Sequence, residues 1–520
     1  MTEPVPNKMG QKAALGGILM VGARFITRLI DMTMMIGLAR ILVPKDFGLV
    51  AIAMSLVLVT EAILELPLNQ ALLRLPAITK HHYDTAFTLS LLRGLVLWGI
   101  LIGGAWPFAY FYHDSRLIAL VCVLSLGPVA RSLTSPRLVE YQKQLSFWRD
   151  FAVELFGKVA GFTFGVSVAV ATHSYWAIAV SIVAYPIGMA IGSYRLAPYR
   201  PRLALSELGV FSGFVGWMSV AQAIGALNWQ FERLLLGKLK VMSQLGLFST
   251  ASDVANIPFL ALFGPLLRPM LAAFAFLRED AERLARAYQT ACCAIIAVGL
   301  PFLVGESIVA DATVRVILGP KWHEAAPWVQ WLALSLTPAL FGLASGPLFL
   351  SLGKPITLVK RNAVEFSVKL PIAVVGALLW GFYGIIVARF LSELTANLFC
   401  TLTVRRMIGL SLRDQLLAPW RSVVSTAVMA AIVLPLRYYL GPVPEIQDAL
   451  LQITLIGMTG ATSYCFVLWA LWRMAGRPDG VEQIAINMLG AFTGKLQAAT
   501  FRLALKGPKE LAAANPERLI

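Results

Sequence analysis

The sequence predicts an all-α polytopic membrane protein with about 14 transmembrane helices: two six-helix lobes related by a parallel repeat, plus two extra C-terminal helices. Three observations carry this. The 520 residues are 58% hydrophobic and only 14% charged, with a mean hydropathy of +0.73, whereas soluble domains sit near about 45–50% apolar and about 25% charged. Apolar runs recur at the ~20-residue length that a hydrocarbon core demands. Between those runs, lysine and arginine collect in alternate links.

The first run, 14–42, carries Arg24, Arg28 and Asp31 and no small-residue cleavage pattern, so it reads as a helix and not as a removable signal. Further spans follow near 47–66, 85–109, 116–134, 150–171, 174–193, 208–236, 244–265, 287–309, 325–351, 358–379, 382–402, 421–440 and 449–472. Twelve is the alternative count, reached by merging or demoting a weak span such as 116–134. The termini and the alternate links starting with 67–84 hold 29 of the 44 cations, and the opposite links hold eight: Arg40, Lys45, Arg116, Lys238, Lys240, Arg315, Lys321 and Arg437. By the positive-inside rule both termini are cytoplasmic. Most of the formal charge of +16 is therefore topological.

The stretch ARILVPKDFGLVA (39–51) recurs 198 residues later as GKLKVMSQLGLFS (237–249), each time after an odd-numbered helix. A parallel repeat of six helices follows, of the kind that sets a substrate route between two lobes. The boundaries are 1–203 for the N-terminal lobe, 204–410 for the C-terminal lobe, 411–475 for helices 13 and 14, and 476–520 for a cytoplasmic tail. In that tail, Ile484, Met488, Phe492, Leu496, Ala499 and Leu503 share one helical stripe. It reads as an interfacial amphipathic helix on anionic inner-leaflet lipid, or as a soluble helix packed on cytoplasmic loops.

Several chemistries are excluded. No external link exceeds about 20 residues, the length of a single span, which leaves no room for a soluble catalytic domain. There is no phosphate-binding G-x-x-x-x-G-K-[ST], because Gly237-Lys238 and Gly494-Lys495 are each followed by Leu. The five histidines lack metal-ligand spacing, His81-His82 reading as a solvated pair at a turn, and the five cysteines lie in apolar runs. The sequence calls for no metal, no cofactor, no nucleic-acid partner and no enzymatic role.

Seven cations remain inside predicted helices: Arg24, Arg28, Arg93, Lys158, Arg233, Lys369 and Arg389. A charge at bilayer depth costs about 2.5–3.5 kcal/mol on insertion scales, so each is a functional candidate. Four have an in-helix partner at three or four residues: Arg28 with Asp31, Lys158 with Glu154, Lys369 with Glu365, and Arg389 with Glu393. Such pairs also neutralise themselves and let a helix insert. Arg24 and Arg28 are one turn apart on the first helix and together suit bidentate capture of a diphosphate. Glu61, Glu232 and Asp253 lack a favourably spaced partner; they pair across helices with the unmatched arginines, or one exchanges a proton or Na⁺. Counting Glu65 with the rest, about as many carboxylates as cations lie in these helices, so an anion-binding cavity follows only if the arginines face the lumen.

The segments LARILVPKDFGLVAIAMSLV (38–57) and ERLLLGKLKVMSQLGLFSTA (232–251), with the fourteen-helix layout, make the chain resemble the polysaccharide-transporter branch of the MOP superfamily, the Wzx-type flippases of lipid-linked oligosaccharides. The link after helix one in that family commonly reads ARxLGPxxFGxxA; it is matched at Ala39, Arg40, Pro44, Phe47, Gly48 and Ala51, with Val43 in place of Gly. The second copy departs further, at Val241-Met242, and has Glu232 where Asp is common. The resemblance implies movement of undecaprenyl-diphosphate-linked repeat units across the bacterial inner membrane by alternating access, next to a polysaccharide polymerase or chain-length regulator. It implies a diphosphate held by Arg24 and Arg28 with Arg233 or Arg93, and coupling through Glu232 or Asp253. Two readings from other classes stand beside it: a MATE-like drug or ion antiporter, which favours acidic lumen residues, and a non-transport scaffold of a polysaccharide assembly complex.

Overall fold

A computed structural model describes residues 26–66, 68–75, 77–143, 148–239, 242–478 and 480–483. Among them the chain is helical with no strand. We label the long unbroken helices α1 (26–41), α2 (Pro44–Ile63), α3 (Lys80–Tyr112), α4 (Trp148–Thr172), α5 (Trp176–Leu196), α6 (Leu208–Leu239), α7 (Met242–Phe276), α8 (Ala281–Ile308), α9 (Ile356–Trp380), α10 (Phe382–Ile408), α11 (Trp420–Leu440) and α12 (Ile446–Met474). The amphipathic segment expected over 479–505 lies almost wholly outside the described residues.

Eleven helical stretches among the described residues are long and apolar enough to cross a membrane. The other three expected spans differ from them. Only 26–41 of the first is described. The span at 116–134 is two short helices, Arg116–Leu124 and Leu126–Ser132. The helix α6 is 32 residues long, but Gln222, Asn228, Gln230, Glu232 and Arg233 dilute its apolar content. The expected span at 325–351 is also interrupted, into Ala326–Ser335, Ala339–Gly342 and Ser345–Ser351. Pro338 explains one break, since it lacks an N–H and disfavours the helical region for Thr337. Its carbonyl accepts from Asn397 Nδ2 on α10, as non-helical backbone at membrane depth requires.

One end of the bundle is closed by the two repeated links. A Cβ added to Gly48 would overlap the Met242 carbonyl oxygen, and one added to Gly246 would overlap the Pro44 carbonyl oxygen. Pro44 and Met242, like Gly48 and Gly246, are 198 residues apart. The contact is thus reciprocal: α2 and α7 cross with their N-terminal turns touching, and only glycine permits that approach. Around the crossing, Trp322 is fully buried and donates through Nε1 to Ala39 O at 3.0 Å, with its ring edge-on to Phe47 at 5.1 Å. Arg40 donates to Val316 O at 3.1 Å, and Tyr112 to Leu234 O at 3.0 Å. The largest apolar core, including Leu49, Ile52, Leu120, Leu245, Phe248 and Val329, lies in this region and draws on both repeats.

The segment joining the two repeats is strapped to the first turns of α3. Tyr199 donates its hydroxyl to Asp84, whose Oδ1 also accepts from Arg202 N at 3.0 Å. Burial and the Asp84 carboxylate push the Tyr199 hydroxyl above its ordinary range, so it remains a donor. Ala204 N and Glu207 N donate to Thr88 and Thr85, while His82, expected as half of a solvated pair, lies 3.9 Å from Glu207. Beyond the repeats, α11 and α12 dock on α8 through Met429, Val433, Ile456 and Tyr464, the last donating to Ala297 O at 2.7 Å.

If the crossing closes this end, Gly246→Leu destabilises the protein by about 1–3 kcal/mol or more through forced overpacking. Gly457→Ala, at a site with nothing within 4 Å, is neutral or stabilising by up to about 1 kcal/mol. Thermal unfolding of the detergent-solubilised protein compares the two.

Candidate functional site

Past the α2–α7 crossing lies a cavity of about 720 Å³. The C-terminal turn of α2 reaches it with Glu61, the middle of α6 with Asn228, Trp229, Glu232 and Arg233, and α7 with Ser252 and Asn256. The interrupted 326–351 passage forms another wall through Gly342, Ser345 and Pro347, and α9 and α10 complete it with Arg361, Glu365, Lys369, Arg389 and Glu393.

Most of its charges form one alternating chain. Glu393 meets Arg361 at 3.0 Å, and Arg361 meets Glu365 at 3.4 Å. Lys369 lies 3.8 Å from Glu365 and 3.0 Å from Glu232, and Arg389 lies 3.6 Å from Glu232. The six residues tie α6, α9 and α10 together. Glu232, Glu365, Lys369 and Arg389 are 4–7% exposed. At such burial an isolated charge is very costly, and alternation of sign is what makes the set tolerable. Lys369 is further anchored by donating to Asn228 O at 3.0 Å.

Two more pairs stand on the same wall or beside it. Arg131 meets Glu61 at 2.7 Å, and Arg233 meets Asp253 at 2.7 Å. Glu232 and Arg233, about 100° apart around α6, thus turn to different partners. Counting Glu65, the lining holds five cations and five carboxylates. Arginines do face the lumen, but carboxylates match them, so the cavity is formally neutral.

The expected site residues separate into groups. Arg233, Glu61, Glu232, Lys369, Arg389 and Glu393 line the cavity, and Asp253 reaches it as the partner of Arg233. Arg93 does not line it. Its guanidinium donates to Leu64 O at 2.7 Å, Glu61 O at 3.1 Å and Glu65 at 2.6 Å, capping the last carbonyls of α2. Arg28 is exposed on α1 and is not among the lining residues, and Arg24 lies outside the described residues.

Three expected in-helix pairs are replaced. Asp31 pairs with Lys158 across α1 and α4, leaving neither the Arg28–Asp31 nor the Glu154–Lys158 pair; Arg389 turns to Glu232 and Glu393 to Arg361. Only Glu365–Lys369 remains, at 3.8 Å. An in-helix pair at the i, i+4 spacing is worth only about 0.2–0.5 kcal/mol, whereas a buried charge shared between helices is also desolvated and better fixed. Arg361 and Arg131 were both expected in cytoplasmic links. The Arg361, Glu365, Lys369 spacing of four was a legible signal for the first; nothing in the sequence marks the second.

A crossed helical bundle enclosing a charge-lined central cavity defines a multi-pass membrane protein with a transporter fold. Among solved structures, the chain has the fold of a lipid II flippase MurJ in an inward closed conformation, at a TM-score of 0.70 and 13% identity, covering 88% of this chain and 100% of that one. An inward-facing multidrug resistance MATE family transporter of the MOP superfamily matches at a TM-score of 0.55 and 14% identity over 74% of this chain and 94% of its own. The model of a family described as polysaccharide biosynthesis protein matches residues 37–327, and the chain belongs to that family. Relatives include the lipopolysaccharide biosynthesis protein WzxC of Escherichia coli (strain K12), 23% identical over 78% of this chain and 82% of its own length. The succinoglycan biosynthesis transport protein ExoT of Rhizobium meliloti (strain 1021) is 24% identical over 58% of this chain and 62% of its own length.

Removing Lys369 takes the shortest contact from Glu232 and leaves the buried set one negative charge in excess. Lys369→Met is expected to cost about 3–5 kcal/mol, the usual penalty for breaking a buried pair. Adding Glu365→Gln to Lys369→Met recovers part of that loss, because Arg361 keeps Glu393 and Arg389 keeps Glu232. Unfolding midpoints of the two single variants and the double variant form the cycle that checks it.

Proposed function

We propose that the protein is a flippase that moves undecaprenyl-diphosphate-linked oligosaccharide repeat units across the bacterial inner membrane for surface polysaccharide synthesis. The observation that carries this reading is the central cavity, closed at one end by the reciprocal α2–α7 crossing, in a chain of the polysaccharide biosynthesis family. The transport protein named among its relatives and the flippase fold support it as well. The lobes 1–203 and 204–410 rock against each other, the α2–α7 crossing parting when the cavity opens to that side, so that the cavity faces each side in turn. Helices over 411–475 stand outside that motion. With the termini in the cytoplasm, as the cation count suggests, the closed end is the outer one.

In this reading the saccharide enters the cavity while the prenyl chain stays in lipid. The diphosphate is met by Arg24 and Arg28 and by Arg233, which exchanges its Asp253 partner for phosphate, because guanidinium groups grip phosphate oxygens in pairs. Arg93 is reassigned to holding the end of α2. A carboxylate of the buried chain, Glu232 first among them, links ion uptake to closure because its charge is shared by cations of two other helices.

In a strain lacking this chain, the wild type should restore surface polysaccharide. The Arg24→Ala/Arg28→Ala variant should lower export at least about tenfold, the equivalent of about 1.4 kcal/mol, while inserting normally. Wild-type export by that variant would rule out the clamp. No build-up of lipid-linked units on the cytoplasmic face in the null strain would rule out the flippase.

A further inference from the structure

Every cation that lines the cavity is already held by a carboxylate, at the distances given above. The polar atoms left over are of the opposite kind. Asn228 and Asn256 line the cavity and are 4% and 6% exposed. Asn228 Nδ2 donates to Asn362 O at 3.0 Å, and Asn256 Nδ2 donates to Ser252 O at 2.7 Å. A carbonyl oxygen only accepts, so these two bonds fix which end of each amide is which; the flipped amide would set oxygen against oxygen. Each Oδ1 is thereby left buried without a hydrogen-bond partner. Orphaned buried acceptors are unusual in a folded protein and unfavourable until a donor reaches them. Trp229, which follows Asn228 on α6, also lines the cavity, is 55% exposed and offers a flat apolar face with a polar tip.

The ligand chemistry follows. A phosphate oxygen or a uronic acid carboxylate brings only acceptors at neutral pH, and it would meet amide oxygens here, with the nearby cations already neutralised. A sugar hydroxyl brings a donor, and the C–H face of a pyranose ring suits an aromatic surface. We infer that Asn228, Trp229 and Asn256 form a saccharide subsite that selects uncharged, hydroxyl-bearing sugars and is not the place of the diphosphate. This rests on the flippase reading and adds the substrate class to it: the sugars that reach this wall are neutral.

The test uses the full chain in proteoliposomes with three fluorescent probes: prenyl diphosphate alone, prenyl diphosphate bearing a neutral hexose disaccharide, and the same carrier bearing a disaccharide with one hexuronic acid. The wild type should flip the neutral conjugate at least tenfold faster than the bare carrier and than the acidic conjugate. Asn228→Leu and Asn256→Leu should bring the ratio of neutral to bare rates down toward one. Asn256→Thr, which leaves an oxygen acceptor in place, should give an intermediate ratio and guards against a leucine variant that fails to insert. An acidic conjugate flipped as fast as the neutral one overturns the inference. So do leucine variants that slow all three probes in the same proportion, or that change none of them. If the wild type moves none of the three, it is the flippase reading that falls, and the subsite with it.

Discussion

The alternating chain of charge from Glu393 through Arg361, Glu365, Lys369 and Glu232 to Arg389 is the constraint on which the central cavity depends. Six ionisable side chains inside the bundle are tolerable only while each cation faces a carboxylate. The pairs run between α6, α9 and α10, so the electrostatics that permit the charges also fix the helices relative to one another. A neutral chain has a further consequence. Any anion entering the cavity must compete with internal carboxylates for the same cations, and loss of one carboxylate leaves the set one positive charge in excess, Glu232 being the one whose loss leaves Arg389 without a partner.

The crossing of α2 and α7 supplies the complementary mechanical feature. Its two glycines let backbones touch where ordinary side chains would hold them apart, and the main apolar core gathers around that contact. The cavity with its charges lies beyond it. One region is thus apolar, closely packed and shared by both repeats, while the other is polar and built from ion pairs. Packed apolar contacts are all-or-none, whereas ion pairs can swap partners at small cost when new partners arrive, and this division suits a bundle that opens at alternate ends.

Much of the fold was legible in the sequence because bilayer thickness imposes a fixed length on apolar runs. The repeat was legible too, through links that the structure brings into reciprocal contact. The interrupted passages were not, since apolar residues at 116–134 and 325–351 read alike whether the helix is continuous or broken; Pro338 was the visible clue. For the site, the sequence identified Glu232, Lys369, Arg389 and Glu393 as buried charges and expected Glu232 to pair across helices, but it assigned the other three partners within a helix. Pair choice is set by packing of separate helices, which spacing along one helix does not encode. Arg361 was placed outside the membrane for a related reason: a cation near a helix end reads as a loop residue until a buried carboxylate on another helix is known to face it.

On the flippase reading, the end sealed by the α2–α7 crossing opens when substrate binds. Spin labels at Lys45 and Lys321, both exposed beside that seal, report it directly through their distance distribution in lipid nanodiscs. One short distance is expected without ligand, and a second, longer population on adding a prenyl-diphosphate-linked neutral disaccharide. A single distance that is unchanged by the ligand would contradict it.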